Sequence, residues 1–163
     1  MSIATLPQPR LVATVKRGEH TNAAASQKQL ACSKCRVDPY INKMLANANY
    51  GGPEDEVDIV VYSNSDIGLS GATRQQTYDK AVGLGLVMLP DWVAPAWCED
   101  YTKLMYDGVF IATQEPIPDG DGGPDLFCVK RYSDHSLLNG CRSGSAGGVW
   151  AGSILWAFGR PRK

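Results

Sequence analysis

Two cysteines separated by two residues, in Cys32-Ser33-Lys34-Cys35, are the most chemically suggestive pair in this chain. That spacing lets two thiolates reach one zinc ion or close one redox disulfide. A structural zinc needs further ligands, and the candidates Cys98, Cys128, Cys141, His20 and His135 are all single residues with no second CxxC or HxxxH pair. A thioredoxin-like reading needs a strand before the motif and a helix opening on it, whereas a polar stretch precedes it here. Free thiols are the simplest expectation, with zinc or thiol chemistry at Cys32 and Cys35 as the alternative. No other cofactor is expected.

The alternating carboxylates of Asp119-Gly120-Asp121-Gly122-Gly123-Pro124-Asp125 suit a hard cation such as calcium, but the EF-hand pattern fails. Counted from Asp119, the sixth position is Pro124 instead of glycine and the twelfth is Lys130 instead of glutamate. Turn geometry between two strands is the better account. Hydrolytic chemistry finds no Gly-x-Ser-x-Gly elbow and no phosphate loop, and the two histidines lie far apart in sequence. His135 beside Asp134 reads as a surface turn. Trp92, Trp97, Trp150 and Trp156 read as core or interface anchors that could supply contact area. The expectation is a non-catalytic molecule.

Charge supplies a second set of candidates. The 163 residues carry a formal net charge of -1, but residues 1–43 hold seven basic against two acidic side chains, residues 54–125 three against fourteen, and residues 126–163 six against one. Basic ends, with Lys16 and Arg17 foremost, could contact nucleic acid through phosphates. The acidic middle would repel the same polyanion, and the basic residues lack aromatic neighbours in sequence. The preferred expectation is therefore a basic end lying against an acidic surface, within the chain or on a neighbouring copy. Protein partners and self-association are expected, nucleic acid less so.

The elements that must position these residues begin with residues 1–36, read as a basic arm, extended or flexible. Asp38-Pro39 opens a helix carrying Ile41, Met44, Leu45 and Ala48, stopped by Gly51-Gly52-Pro53. Val57 to Tyr62 is a strand covered on both faces. Thr73 caps a helix to about Val82, and Pro90-Asp91 opens a short third one. Val109–Thr113 and Leu126–Tyr132 form a hairpin, Leu137-Leu138 begins a further strand, and Ile154–Phe158 makes another. Residues 37–163 are thus expected to form one α+β domain, two or three short helices on a small, mainly antiparallel sheet. No window reaches 18 consecutive apolar residues, and no signal peptide is read, so a cytoplasmic setting without membrane contact is expected.

Gly71-Ala72-Thr73, Leu84-Gly85-Leu86, Leu89-Pro90, Glu115-Pro116-Ile117, Asp121-Gly122 and Phe127 carry a resemblance, joined by the Gly/Trp-rich stretch from Trp150 to Phe158. Over about residues 66–160 the chain resembles a group of small uncharacterised bacterial and phage-associated proteins. That resemblance implies a virion or accessory setting and transfers no catalytic residue. The Gly/Trp-rich segment is also similar to C-type-lectin-like folds, which implies loops displayed for binding. Together these readings point to a binding or assembly module that uses a basic arm and aromatic side chains.

Overall fold

The computed structural model describes residues 5–118, 123–141 and 148–162. Among them the elements run β1 (Leu11–Lys16), α1 (Ala23–Ala31), β2 (Cys35–Val37), α2 (Ile41–Asn47), β3 (Glu56–Ser63), β4 (Gly71–Thr73) and α3 (Arg74–Gly83). Then come α4 (Val93–Cys98), β5 (Val109–Ile111), β6 (Ile117–Pro118), β7 (Pro124–Arg131), β8 (Ser136–Cys141), β9 (Val149–Ala151) and β10 (Leu155–Arg160).

The strands join in the order β1-β3-β10-β5-β7-β8-β2, with β6 added alongside β7, while β4 and β9 pair separately. Most neighbours are antiparallel, but β10 with β5 and β2 with β8 run parallel. The α+β class holds, with four helices and more strand than the sequence suggested. The hairpin of β5 and β7 is present, and β6 pairs with β7 from inside its connection.

Alternation along the central strands builds a core on each face of the sheet. Ile59 and Val61 of β3, with Leu155 and Ala157 of β10, face one core beneath α1, α2 and α4, together with Trp92 and Trp97. Val60 and Tyr62 of β3, with Trp156 and Phe158 of β10, face the other beside Tyr78 of α3 and Trp150 of β9. This is why the apolar run of β3 is continuous: neither face meets water. The two tryptophans of the second core are 4.8 Å apart between ring centroids, and Tyr78 meets Trp156 edge to face at 5.9 Å.

Of residues 1–36, expected as an arm, the stretch from residue 11 onward is folded into β1, α1 and the start of β2. Leu11, Ala13 and Val15 turn inward while Val12, Thr14 and Lys16 stay exposed, the period-two pattern of a half-covered strand. β1 pairs with β3 from Leu11 opposite Val61 to Lys16 opposite Glu56. Asn22 then caps α1 by accepting the Ala25 N–H at 2.8 Å. α1 buries only Ser26 and Leu30, so it shows no apolar stripe for sequence reading to find. At α3 the local signal is complete, since Thr73 and Gln76 form a reciprocal capping box. No helix among the described residues is long and apolar enough to cross a membrane.

Candidate functional site

The side chains with chemistry converge where β2, β8 and the end of β7 meet the C-terminus of α4. Strand register sorts them onto two faces. In one row Cys35, Ser136 and Arg131 stand side by side across β2, β8 and β7; in the next row Arg36, Leu137 and Lys130 do so. Successive residues of a strand point to opposite faces, so the first row turns toward the helices and the second toward the open side.

On the helix side the Ser136 hydroxyl donates to the Cys98 carbonyl at 2.5 Å, holding the end of α4 over β2. The thiols of Cys35 and Cys98 are hydrogen-bonding neighbours there. Burial pushes the Cys98 thiol well up, while the hydrogen bond from Cys98 holds Cys35 below the ordinary thiol value. The structure therefore pairs Cys35 with Cys98 and not with Cys32, which lies exposed at the C-cap of α1. No three His, Cys, Asp or Glu side chains among the described residues are grouped to hold a metal ion.

The residue after Cys98 closes a second cluster. Glu99 Oε1 lies 2.5 Å from His20 Nε2, and His20 Nδ1 lies 2.6 Å from Ser26 Oγ. A carboxylate only accepts, so Nε2 carries the hydrogen, and in a neutral ring Nδ1 accepts from the Ser26 hydroxyl. The chain has the serine–histidine–carboxylate order of a nucleophilic relay, but Ser26 is 0% exposed, so its hydroxyl faces no substrate. Its work is mechanical: it ties the loop before α1 and the body of α1 to the end of α4.

Around these buried groups runs a rim of cations and tyrosines. Asp100 accepts the Thr102 N–H at 3.0 Å and caps the short 3-10 turn Tyr101–Lys103, and the Trp97 indole N–H donates to the Lys103 carbonyl at 3.0 Å. On that platform the Arg131 guanidinium lies 4.6 Å from the Tyr106 ring centre and 5.8 Å from that of Tyr101, with Lys34 at 5.9 Å from Tyr101. On the open side Lys130 lies 5.2 Å from the Tyr132 ring, and His135 stacks on Tyr132 at 4.6 Å and 6°. Such contacts at exposed sites contribute about 0.5–1 kcal/mol each. An open groove of about 660 Å³ is lined by Arg36, Val37, Asp38, Tyr132, His135 and Leu137.

No carboxylate among the described residues lies within ion-pair distance of Lys34, Arg36, Lys103, Lys130 or Arg131. The nearby acids are committed elsewhere. Thr102 holds the Asp100 carboxyl below the usual carboxylate range, and His135, 2.7 Å from Asp134, does the same to that carboxyl.

The sequence-expected binding residues lie elsewhere. Lys16 is exposed, 3.9 Å from Glu56. Arg17 is largely covered; it bonds Asp55 and donates to the Tyr50 carbonyl at 3.0 Å. Trp92, Trp97 and Trp156 are 0–1% exposed and Trp150 6%, so all four belong to the cores and none presents contact area at the surface. Asp119 and Asp121 of the Asp/Gly loop fall outside the described residues, while Asp125 is buried in β7. Reading by sequence proximity missed the rim because Lys34, Tyr101, Arg131 and His135 come from three separate stretches. The signal available was the Lys130-Arg131-Tyr132 triplet before a Ser-Asp-His turn, cationic and aromatic within a few residues.

No family model, curated protein or solved structure matches this chain.

Proposed function

We propose that this protein is a non-catalytic binding or assembly module whose docking surface is the cation–tyrosine rim, and that its partner is a protein presenting an acidic surface. The observation that supports this most is the row Arg36-Leu137-Lys130 beside the Tyr132–His135 stack, where cations without carboxylate partners flank an open groove. Tyrosine and arginine are the residues enriched where protein interfaces concentrate their energy. A protein partner is favoured over nucleic acid because the tyrosines of the rim already carry a cation or an imidazole against the ring, and because Asp100 and Asp134 are interspersed with the basic groups.

The termini are a poorer site for capturing a neighbouring copy, since Asp55, Glu56, Asp58 and Asp66 are already engaged by basic groups of the same chain. The resemblance over residues 66–160 adds a setting, that of a phage virion or accessory component.

The reading is tested by fluorescence anisotropy with a labelled polyglutamate peptide and a labelled oligothymidylate of matched charge. The peptide should bind, more weakly as salt rises, and the double variant Arg36→Glu, Lys130→Glu should lose affinity by about tenfold or more, roughly 1.4 kcal/mol. Tighter binding of the oligonucleotide, or an unchanged affinity in the double variant, would reject the proposal.

A further inference from the structure

The thiols beneath the rim carry a chemistry that docking does not use. Cys35 sits on a three-residue strand at the edge of the sheet, held by β8 on one side only, so its backbone can move at low cost. Register places it opposite Ser136, whose hydroxyl bonds the Cys98 carbonyl, so one serine links the two residues, and Cys35 packs against the same core that holds Cys98. The two thiols differ in access. Cys98 is fully buried, whereas Cys35 is half-buried and lines an open cavity of about 260 Å³ with Leu30, Val37 and Leu45. An outer thiol that can be reached and an inner thiol held against it are the two parts needed for exchange.

We propose that Cys35 and Cys98 form a reversible disulfide by exchange with a small-molecule disulfide of the glutathione class. The Cys35 thiolate attacks one sulfur of the incoming disulfide, whose other half leaves as a thiol after taking up a proton. The mixed disulfide on Cys35 is then attacked by Cys98 as its thiol proton is lost, and the second half leaves as a thiol. Two protein thiols give up two electrons and two protons, and one external disulfide becomes two thiols. The raised acidity of the Cys35 thiol favours it as the attacking group, and Cys98, made less acidic by burial, is suited to the resolving step only once brought against the mixed disulfide.

The bond would join the strand bearing Arg36, with Lys34 in the turn before it, to the end of α4, where Glu99 and the Tyr101 turn begin. This inference rests on the thiols alone and stands or falls separately from the rim's partner.

The test is incubation of the full chain with oxidised glutathione, followed by thiol counting and by mass mapping of peptides under non-reducing conditions. Expected are a cross-link joining the peptides of Cys35 and Cys98, in the wild type and in Cys32→Ser alike, and the loss of two thiols per chain in Cys32→Ser, where the exposed Cys32 cannot itself take up glutathione. Cys98→Ser should instead retain glutathione on Cys35, and Cys35→Ser should give neither product. A cross-link between Cys32 and Cys35, or no cross-link at all, would overturn the proposal. The wild-type map decides this even if a cysteine variant fails to fold.

Discussion

Two basic regions of this molecule use the same residue types to opposite ends. Along the side formed by β1 and β3, Arg10 bonds Asp66 at 2.7 Å, Arg17 bonds Asp55, and Arg162, just past β10, bonds both Glu56 and Asp58, so each of these cations has a carboxylate. At the rim near the other edge the cations lie against tyrosines and have no carboxylate within reach among the described residues. A charge count along the chain cannot separate these cases. What separates them is register: β1 runs beside the acidic β3, so its basic flanks are neutralised, whereas β2 and β7 flank the neutral Ser136-Leu137-Leu138 of β8. The paired edge is thereby built into the fold, and the rim cations are left to the tyrosines.

The hardest way to break that contrast is to remove residues 1–30. A flexible arm could be lost with little change in stability, but this segment supplies β1 and α1 and fills part of the first core through Val15 and Leu30. We expect no cooperative thermal transition in the truncated chain by circular dichroism, and a melting temperature like that of the full chain would return the segment to the status of a tail.

A smaller effect is expected beneath the rim. His20→Ala removes a buried ring and leaves Ser26 and the largely covered Glu99 without their partner, which should cost about 1–3 kcal/mol in urea denaturation. A loss within a few tenths of a kcal/mol would mean that the strut carries no load.

The smallest effect belongs to the paired edge itself, where exposed pairs contribute about 0–1 kcal/mol each. The Arg162 guanidinium and the Thr14 hydroxyl hold the Asp58 carboxyl below its ordinary value, and Arg10 does the same for Asp66. A depressed folded-state value means that the unfolded chain binds these protons more readily, so the contribution is present above about pH 4 and is lost as pH falls through the folded-state values. The pair Asp58→Asn, Asp66→Asn should therefore flatten the acid limb of a stability profile while leaving binding at the rim untouched. An acid limb identical to that of the wild type would remove the edge pairs from the account.

Sequence reading recovered what is local. β3 announced itself by a β-branched run, α3 by Thr73 and the polar residues after it, and the β5–β7 hairpin by its two strands around a turn-rich connection. It lost what depends on distant partners. α1 buries a serine whose hydrogen bond to His20 replaces the apolar stripe that would have marked a helix, and β2 is three residues whose ladder partner is a strand a hundred residues later. The candidate site suffered most, because Cys35 looks paired with Cys32 by spacing, yet the ladder with β8 carries it to Cys98. The contact between basic ends and an acidic middle was legible, since opposite charges in one small chain have few other places to go.

Strand order also dictates when this molecule can fold. β10, at residues 155–160, fills the position between β3 and β5, so the centre of the sheet stays vacant on the ribosome until synthesis has passed it. β1 and β3 can pair early, and β7 with β8, and α4 packs against both pairs, but the sheet is not continuous between them before then. Loop closure over about a hundred residues must precede the main gain in buried surface, which places folding at the slow end expected of non-local sheets and leaves β3, apolar on both faces, in need of protection while it waits.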